Sequence, residues 1–177
     1  GFVETTLGTS WEEVWNDIGI LINNGGSLNT IGSTNPADRN VISNNWYGIE
    51  LSDAGTSGNQ VLGNFIGTTS DGTDALGNGD IGVLIDGEAS DNTIGGTASG
   101  ARNVISGQGW EYWWCEWCSG VVIVGSGSTG NQVQGNYIGT DVTGTQGLGN
   151  ENEGVYISSA NNTIGGTSSG ARNVISG

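Results

Sequence analysis

The chain has 177 residues and a formal charge of −15, from 18 acidic residues against three arginines. A surface this negative repels phosphate backbones, so nucleic acid is excluded as an expected partner, and no apolar run reaches the roughly 18 residues of a bilayer-crossing helix. Glycine fills 35 positions and proline one, yet Val, Ile and Leu recur at fixed offsets that a disordered chain does not need.

The chain opens at Gly1 rather than at a methionine, as the product of processing and export would. Residues 1–18 read as an N-terminal cap. Ser10-Trp11-Glu12-Glu13 has the form of a capping box, and Trp11, Val14, Trp15 and Ile18 follow at i, i+3, i+4 and i+7. This spacing predicts a short amphipathic helix laid over the open end of whatever follows. Trp11 and Trp15 are its candidate self-association residues.

From Gly19 to Gly177 the sequence repeats. A triad of Asn, any residue, then Ile or Val begins at Asn29, Asn40, Asn59, Asn64, Asn92, Asn103, Asn131, Asn136, Asn162 and Asn173. Five runs that start with Gly and end in Ile or Leu interleave with them, at Gly19, Gly48, Gly82, Gly120 and Gly154. The order is always one Gly run, then two Asn triads. Three short strands per unit and five units predict a three-sided coil of about five turns. The units alternate: the two triads lie 11 residues apart after Gly19, Gly82 and Gly154, and 5 apart after Gly48 and Gly120. A pair of units makes a super-repeat of 63 residues, from Gly19 to Gly82. No such strand buries enough by itself. Stacked about 4.8 Å apart, Ile falls on Ile and Asn on Asn, and the Asn amides satisfy one another. Glycines are expected at positive-φ corners.

The stretches Asn92-Thr93-Ile94-Gly95-Gly96-Thr97, Ala101 to Gly107 and Gly135 to Asp141 resemble the right-handed parallel β-helix repeats of large bacterial surface and secreted proteins, within the pectin-lyase-like superfamily. The resemblance covers residues 19–177. It implies the fold and an extracellular or cell-surface location. It does not imply one function, because that architecture hosts lyases, hydrolases, adhesins and plain spacers. Enzymes resembling pectate lyases or polygalacturonases need clustered Asp with Arg or Lys, or paired Asp with His and Lys. This chain has neither His nor Lys, so no catalytic residue is assigned. A polysaccharide lyase or a glycosidase using two carboxylates ranks last among the readings.

One unit is interrupted. Asn103 is 17 residues from Gly120, whereas Asn40 is 8 from Gly48, and the extra residues lie within 108–119. Trp110, Trp113, Trp114 and Trp117 sit there, with Tyr112 and the pair Cys115 and Cys118. The same corner one super-repeat earlier holds Trp46 and Tyr47. These seven aromatics form a candidate surface for stacking on sugar rings, roughly 9.6 Å apart if two coils separate them. The bland alternative is that they pack on one another. For the cysteines, a zinc site lacks two further Cys or His ligands, and a redox centre lacks its helix. A disulfide staple is the expectation, with free thiols as the alternative.

Arg39, Arg102 and Arg172 share one repeat position, which reads as structural pairing with carboxylates or carbonyls. Asp71, Asp74 and Asp80 in one long connection and Asp141, Glu151 and Glu153 in the other read as a solvated acidic face. Calcium is the one ion such groups suggest, and no cofactor is expected otherwise. Gly125 to Gly130 matches a dinucleotide fingerprint only formally, since a strand is predicted to follow it. Gly177 falls where the next Gly run is due. The functional expectation is an extracellular structural solenoid that stacks head to tail with itself into a filament, or that is part of a larger surface protein and meets neighbouring solenoid segments. The alternative is an adhesin-like carbohydrate-binding module.

Overall fold

The computed structural model describes residues 2–4, 11–13, 15–109, 115 and 117–177. Strands β1 (Phe2–Glu4) and β2 (Trp11–Glu13) pair antiparallel, Phe2 opposite Glu13. The first coil then carries β3 (Asn16–Ile22), β4 (Thr30–Gly32) and β5 (Val41–Ile42). The second carries β6 (Asn45–Leu51), β7 (Gln60–Leu62) and β8 (Phe65–Ile66). The third has β9 (Val83–Ile85), β10 (Thr93–Gly95) and β11 (Val104–Ile105). The fourth has β12 (Val121–Ile123), β13 (Gln132–Gln134) and β14 (Tyr137–Ile138), and the fifth β15 (Val155–Ile157), β16 (Thr163–Ile164) and β17 (Val174–Ile175). Corresponding strands of successive coils pair in parallel, giving three five-stranded sheets. The chain is a three-sided parallel β-helix.

Among the described residues the predicted N-terminal helix is not formed. Trp11–Glu13 is a strand, and Asn16–Ile22 pairs in parallel with β6, Ile18 opposite Tyr47 and Ile20 opposite Ile49. Ile18, the last residue of the helical stripe, also begins a period-two alternation with Ile20 and Ile22. The ladder offered by β6 outweighs the local helical preference. The first coil therefore starts at Asn16, ahead of Gly19. Ser10 and Val14 lie outside the described residues.

The interior is a set of apolar columns. Ile31, Val61, Ile94 and Val133 stack in one sheet and Ile42, Ile66, Ile105 and Ile138 in another. In the third sheet Ile49, Val83 and Val121 stack beside Leu51, Ile85 and Ile123, and all of these residues belong to one buried cluster. At the lower end Ile164 and Ile175 are 39% and 49% exposed.

Asparagine ladders line the corners. Asn29, Asn59, Asn92 and Asn131 pass Nδ2–H to the next Oδ1 at 2.9, 3.0 and 3.1 Å. Asn40, Asn64, Asn103, Asn136 and Asn173 do so at 2.9, 3.2, 3.0 and 3.3 Å. A third ladder, absent from the sequence reading, runs Asn16, Asn45, Asn78 and Gln108, each donating to the next at 2.9, 3.1 and 2.9 Å. It continues when the Gln108 N–H donates to Asn150 Oδ1 at 3.2 Å.

The glycines that begin the Gly runs are there for space rather than for a positive φ. A Cβ at Gly48 would meet Gly82 O at 2.5 Å, and one at Gly82 would meet Gly120 O at 2.6 Å. Corner glycines such as Gly67, at φ 79°, do take the left-handed conformation predicted for them.

Candidate functional site

The interruption after coil three leaves the third ladder at Gln108 and rejoins the first sheet at Gly120. Gln108 is buried. Its side chain accepts from Asn78 and donates from Nε2 to Ile66 O at 3.0 Å and to Ser106 O at 2.9 Å. A ladder residue one methylene longer than Asn thus closes the rung from which the loop departs. Trp110, Tyr112, Trp113 and Trp114 lie outside the described residues.

The remaining aromatics sit on the outer face of the first sheet. Tyr47 and Trp117, with Val124 and Tyr156, pack against buried Ile81, Leu84 and Val122. Trp117 meets Tyr156 edge to face, with ring centroids 5.0 Å apart. Burial first, and then the Asp80 carboxylate, raise the Tyr47 hydroxyl above its ordinary range. Trp46 is 38% exposed and lies against Gly79, where a Cβ would stand 2.8 Å from its ring. Two of the three described candidate aromatics are thus engaged in an apolar cluster, and Trp46 is the most exposed of the three.

Cys115 and Cys118 form a disulfide, with Cα atoms 5.5 Å apart. The Cys118 N–H donates to Cys115 Sγ at 2.9 Å. Sequence reasoning did not anticipate what faces this pair. Asp80, in the turn before β9, is buried, and its Oδ1 lies 3.5 Å from Cys115 Sγ. The Gly79 carbonyl oxygen is 3.9 Å from Cys115 Sγ and 3.5 Å from Cys118 Sγ. Glu151 is adjacent: a Cβ at Gly109 would touch both Cys118 Sγ, at 2.5 Å, and Glu151 Cγ, at 2.9 Å. Stacking of coils three, four and five brings together groups far apart in the chain.

The arginines pair with carbonyls and aromatic faces. Arg39 donates from Nε to Gly63 O at 3.0 Å, and its guanidinium lies 3.9 Å from the Phe65 ring centroid. Arg102 repeats this one super-repeat later, with Gly135 O at 3.2 Å and Tyr137 at 4.0 Å. Each reaches from an odd-numbered coil to the even-numbered coil below. Arg172, in coil five, lines an open groove with Ile164, Asn173 and Ile175.

The acidic connections are organised around two aspartates. Asp71 accepts from Thr69 Oγ1 at 2.6 Å and Thr73 Oγ1 at 2.9 Å, and these bonds hold its carboxyl below the usual range. Asp141 is desolvated, which alone would raise it. Bonds from the backbone of Gln146, the Thr143 hydroxyl and the backbone of Thr145 outweigh this and lower it. Both carboxylates are turn organisers. After Gly125 to Gly130 the chain enters β13, as predicted.

Among the described residues no helix is long and apolar enough to cross a membrane. Comparison with protein-family models, with curated proteins and with solved structures finds no match.

Proposed function

We propose that the chain is a structural β-solenoid module of an extracellular or cell-surface protein, non-catalytic, which extends by stacking on further coils of its own kind. One observation carries this reading: the buried asparagines and Gln108 are committed to holding coils together. Among the described residues only Asp86 Oδ1 and Ser128 Oγ are buried without a hydrogen-bond partner. Catalytic groups have to be available to a substrate, whereas these amides are consumed by the ladders. The disulfide supports an oxidising location.

The kind of coil that fits below coil five follows from the alternation. Arg39 and Arg102 each meet a Gly carbonyl and an aromatic of an even coil. Arg172, in coil five, fits another even coil carrying Gly-Asn-aromatic. The first coil of a second copy presents Arg39-Asn40-Val41 at that place. In-register stacking of copies would therefore set Arg39 against Arg172 and leave Arg172 with no ring, since Arg39 already lies over Phe65 of its own copy. Trp11–Glu13 and Asn16–Ile22 are strands rather than a helix that could plug a second molecule. Neighbouring solenoid segments of the even kind are the better-supported partner.

Glycan binding at the aromatic corner has less in its support, because Tyr47 and Trp117 are spent on Ile81, Leu84, Val122 and Tyr156.

Thermal unfolding of extended chains tests the proposal. A copy of residues 45–81 joined after Gly177 supplies an even coil, and the melting midpoint should rise. Phe65→Ala within that copy should remove much of the gain. A copy of residues 16–43, an odd coil, should give little. Equal gains from both extensions would sink the pairing rule, and no gain from either would sink the scaffold reading.

A further inference from the structure

We propose that the Cys115–Cys118 staple is the oxidised form of a metal site, whose third protein ligand is Asp80 and whose metal is a zinc-type divalent cation. This inference does not depend on the scaffold reading. It starts from geometry: Asp80, Cys115 and Cys118 each offer one ligand atom, and the three atoms lie within 4.8 Å of one another.

The distances match a tetrahedron in part already. Zinc binds thiolate sulfur at about 2.3 Å and carboxylate oxygen at about 2.0–2.2 Å, so a sulfur and an oxygen on one ion stand roughly 3.6 Å apart. Cys115 Sγ and Asp80 Oδ1 are 3.5 Å apart. Once the sulfur–sulfur bond is broken, rotation about the two Cα–Cβ bonds can move the sulfurs apart around an ion. The backbone N–H of Cys118, aimed at Cys115 Sγ, favours the thiolate there. The Gly79 carbonyl oxygen faces both sulfurs, and with water it completes the oxygen side of the site.

Charge argues the same way. Asp80 is buried in a chain of net charge −15, with Glu151 beside Cys118. Two thiolates next to the buried Asp80 carboxylate are unfavourable until a divalent cation neutralises them. The order of events is therefore fixed. Two equivalents of an external thiol reduce the disulfide, giving two Cys thiols and one external disulfide. The cation then binds, displacing the two thiol protons. In both states the corner is tied: the disulfide closes the loop on itself, whereas the metal ties the loop to coil three through Asp80.

Cobalt(II), which reports thiolate ligation by a near-ultraviolet charge-transfer band and tetrahedral geometry by visible d–d bands, is the probe. The chain is reduced with dithiothreitol, freed of it under nitrogen, and titrated. One equivalent of Co2+ should bind with both signatures, and Zn2+ should displace it. The oxidised chain should show neither. Cys118→Ser should lose the paired-thiolate signal, and Asp80→Asn should weaken Co2+ binding by at least about tenfold. Asp80→Cys should strengthen the charge-transfer band, as a third thiolate joins two; it serves as the second test of position 80 if Asp80→Asn does not fold by circular dichroism. A reduced wild-type chain with no charge-transfer band overturns the proposal. So does Asp80→Asn that folds and binds as tightly as wild type, or Asp80→Cys that folds and leaves the band unchanged.

Discussion

At the scale of the residue, a ladder asparagine does the work of several backbone groups. Asn103 is buried, and its Oδ1 accepts from both the backbone N–H and the Nδ2 of Asn64. Its Nδ2 donates to Val61 O at 2.8 Å and to Asn136 Oδ1 at 3.0 Å. Removal leaves partners in coils two and four buried and unpaired, which ordinarily costs about 1–3 kcal/mol for each such group. Asn103→Ala should therefore destabilise the chain by about 3 kcal/mol in urea unfolding. Asn173→Ala, at the exposed end of the same ladder, should cost clearly less. Equal losses at the two positions would contradict the ladder account. The motif was legible because every rung spells it the same way. Gln108 was not, because its rung precedes a loop of irregular length and it differs from the Asn it replaces. The signal available was Asn16, Asn45, Asn78 and Asn150, each three or four residues ahead of a Gly run.

At the scale of the element, strands of two or three residues hold only because coils lie close together. The first sheet shows the limit, since its opening glycine faces a carbonyl of the next coil. Gly82→Ala would set a methyl group 2.6 Å from Gly120 O and 2.8 Å from Ile105 Cγ2. Both neighbours are fixed by their own ladders, so the coils must part. A loss of about 1–3 kcal/mol is expected from such overpacking, read as a fall in the urea midpoint. Gly147→Ala, with open space around its Cβ position, is the control and should change little. The N-terminal segment teaches the converse. Its spacing satisfied a helix and a strand alike, and the partner strand β6 decided between them.

At the scale of the whole molecule, Asp86 and Glu50 on one side and Asp71 and Asp141 on the other have opposite pH dependence. Burial raises Asp86, with Asp53 adding repulsion. Burial also raises Glu50; a bond from Ser52 offsets part of this, and Asp86 and Asp53 add to it. Groups raised in the fold add stability below their unfolded values, and that stability is lost as pH climbs through their folded values. Asp71 and Asp141 are lowered, so their contribution is present above the ordinary aspartate value of 3.8 and is lost as pH falls through their folded values. The melting midpoint should thus rise as pH is brought from 7 towards about 4, then fall below it. Asp86→Asn removes a carboxylate whose Oδ1 has no partner. It should melt higher than wild type at pH 7, with the gap closing near pH 4. A gap that persists unchanged at pH 4 would rule out the protonation account.

The sequence alone determined the coil: three strands per turn, five turns, two alternating kinds, and the residues that face inward. These follow from period-two alternation and from rungs that must match to stack, so the information is local and repeated. Only the tertiary structure decided which groups meet along the axis. Asp80 reaches Cys115 and Cys118, and Arg102 reaches the Tyr137 ring, across coils of unequal length that no local pattern aligns. It also decided that Asn16–Ile22 is a strand, since a segment compatible with two periods takes the one for which the fold supplies hydrogen-bond partners.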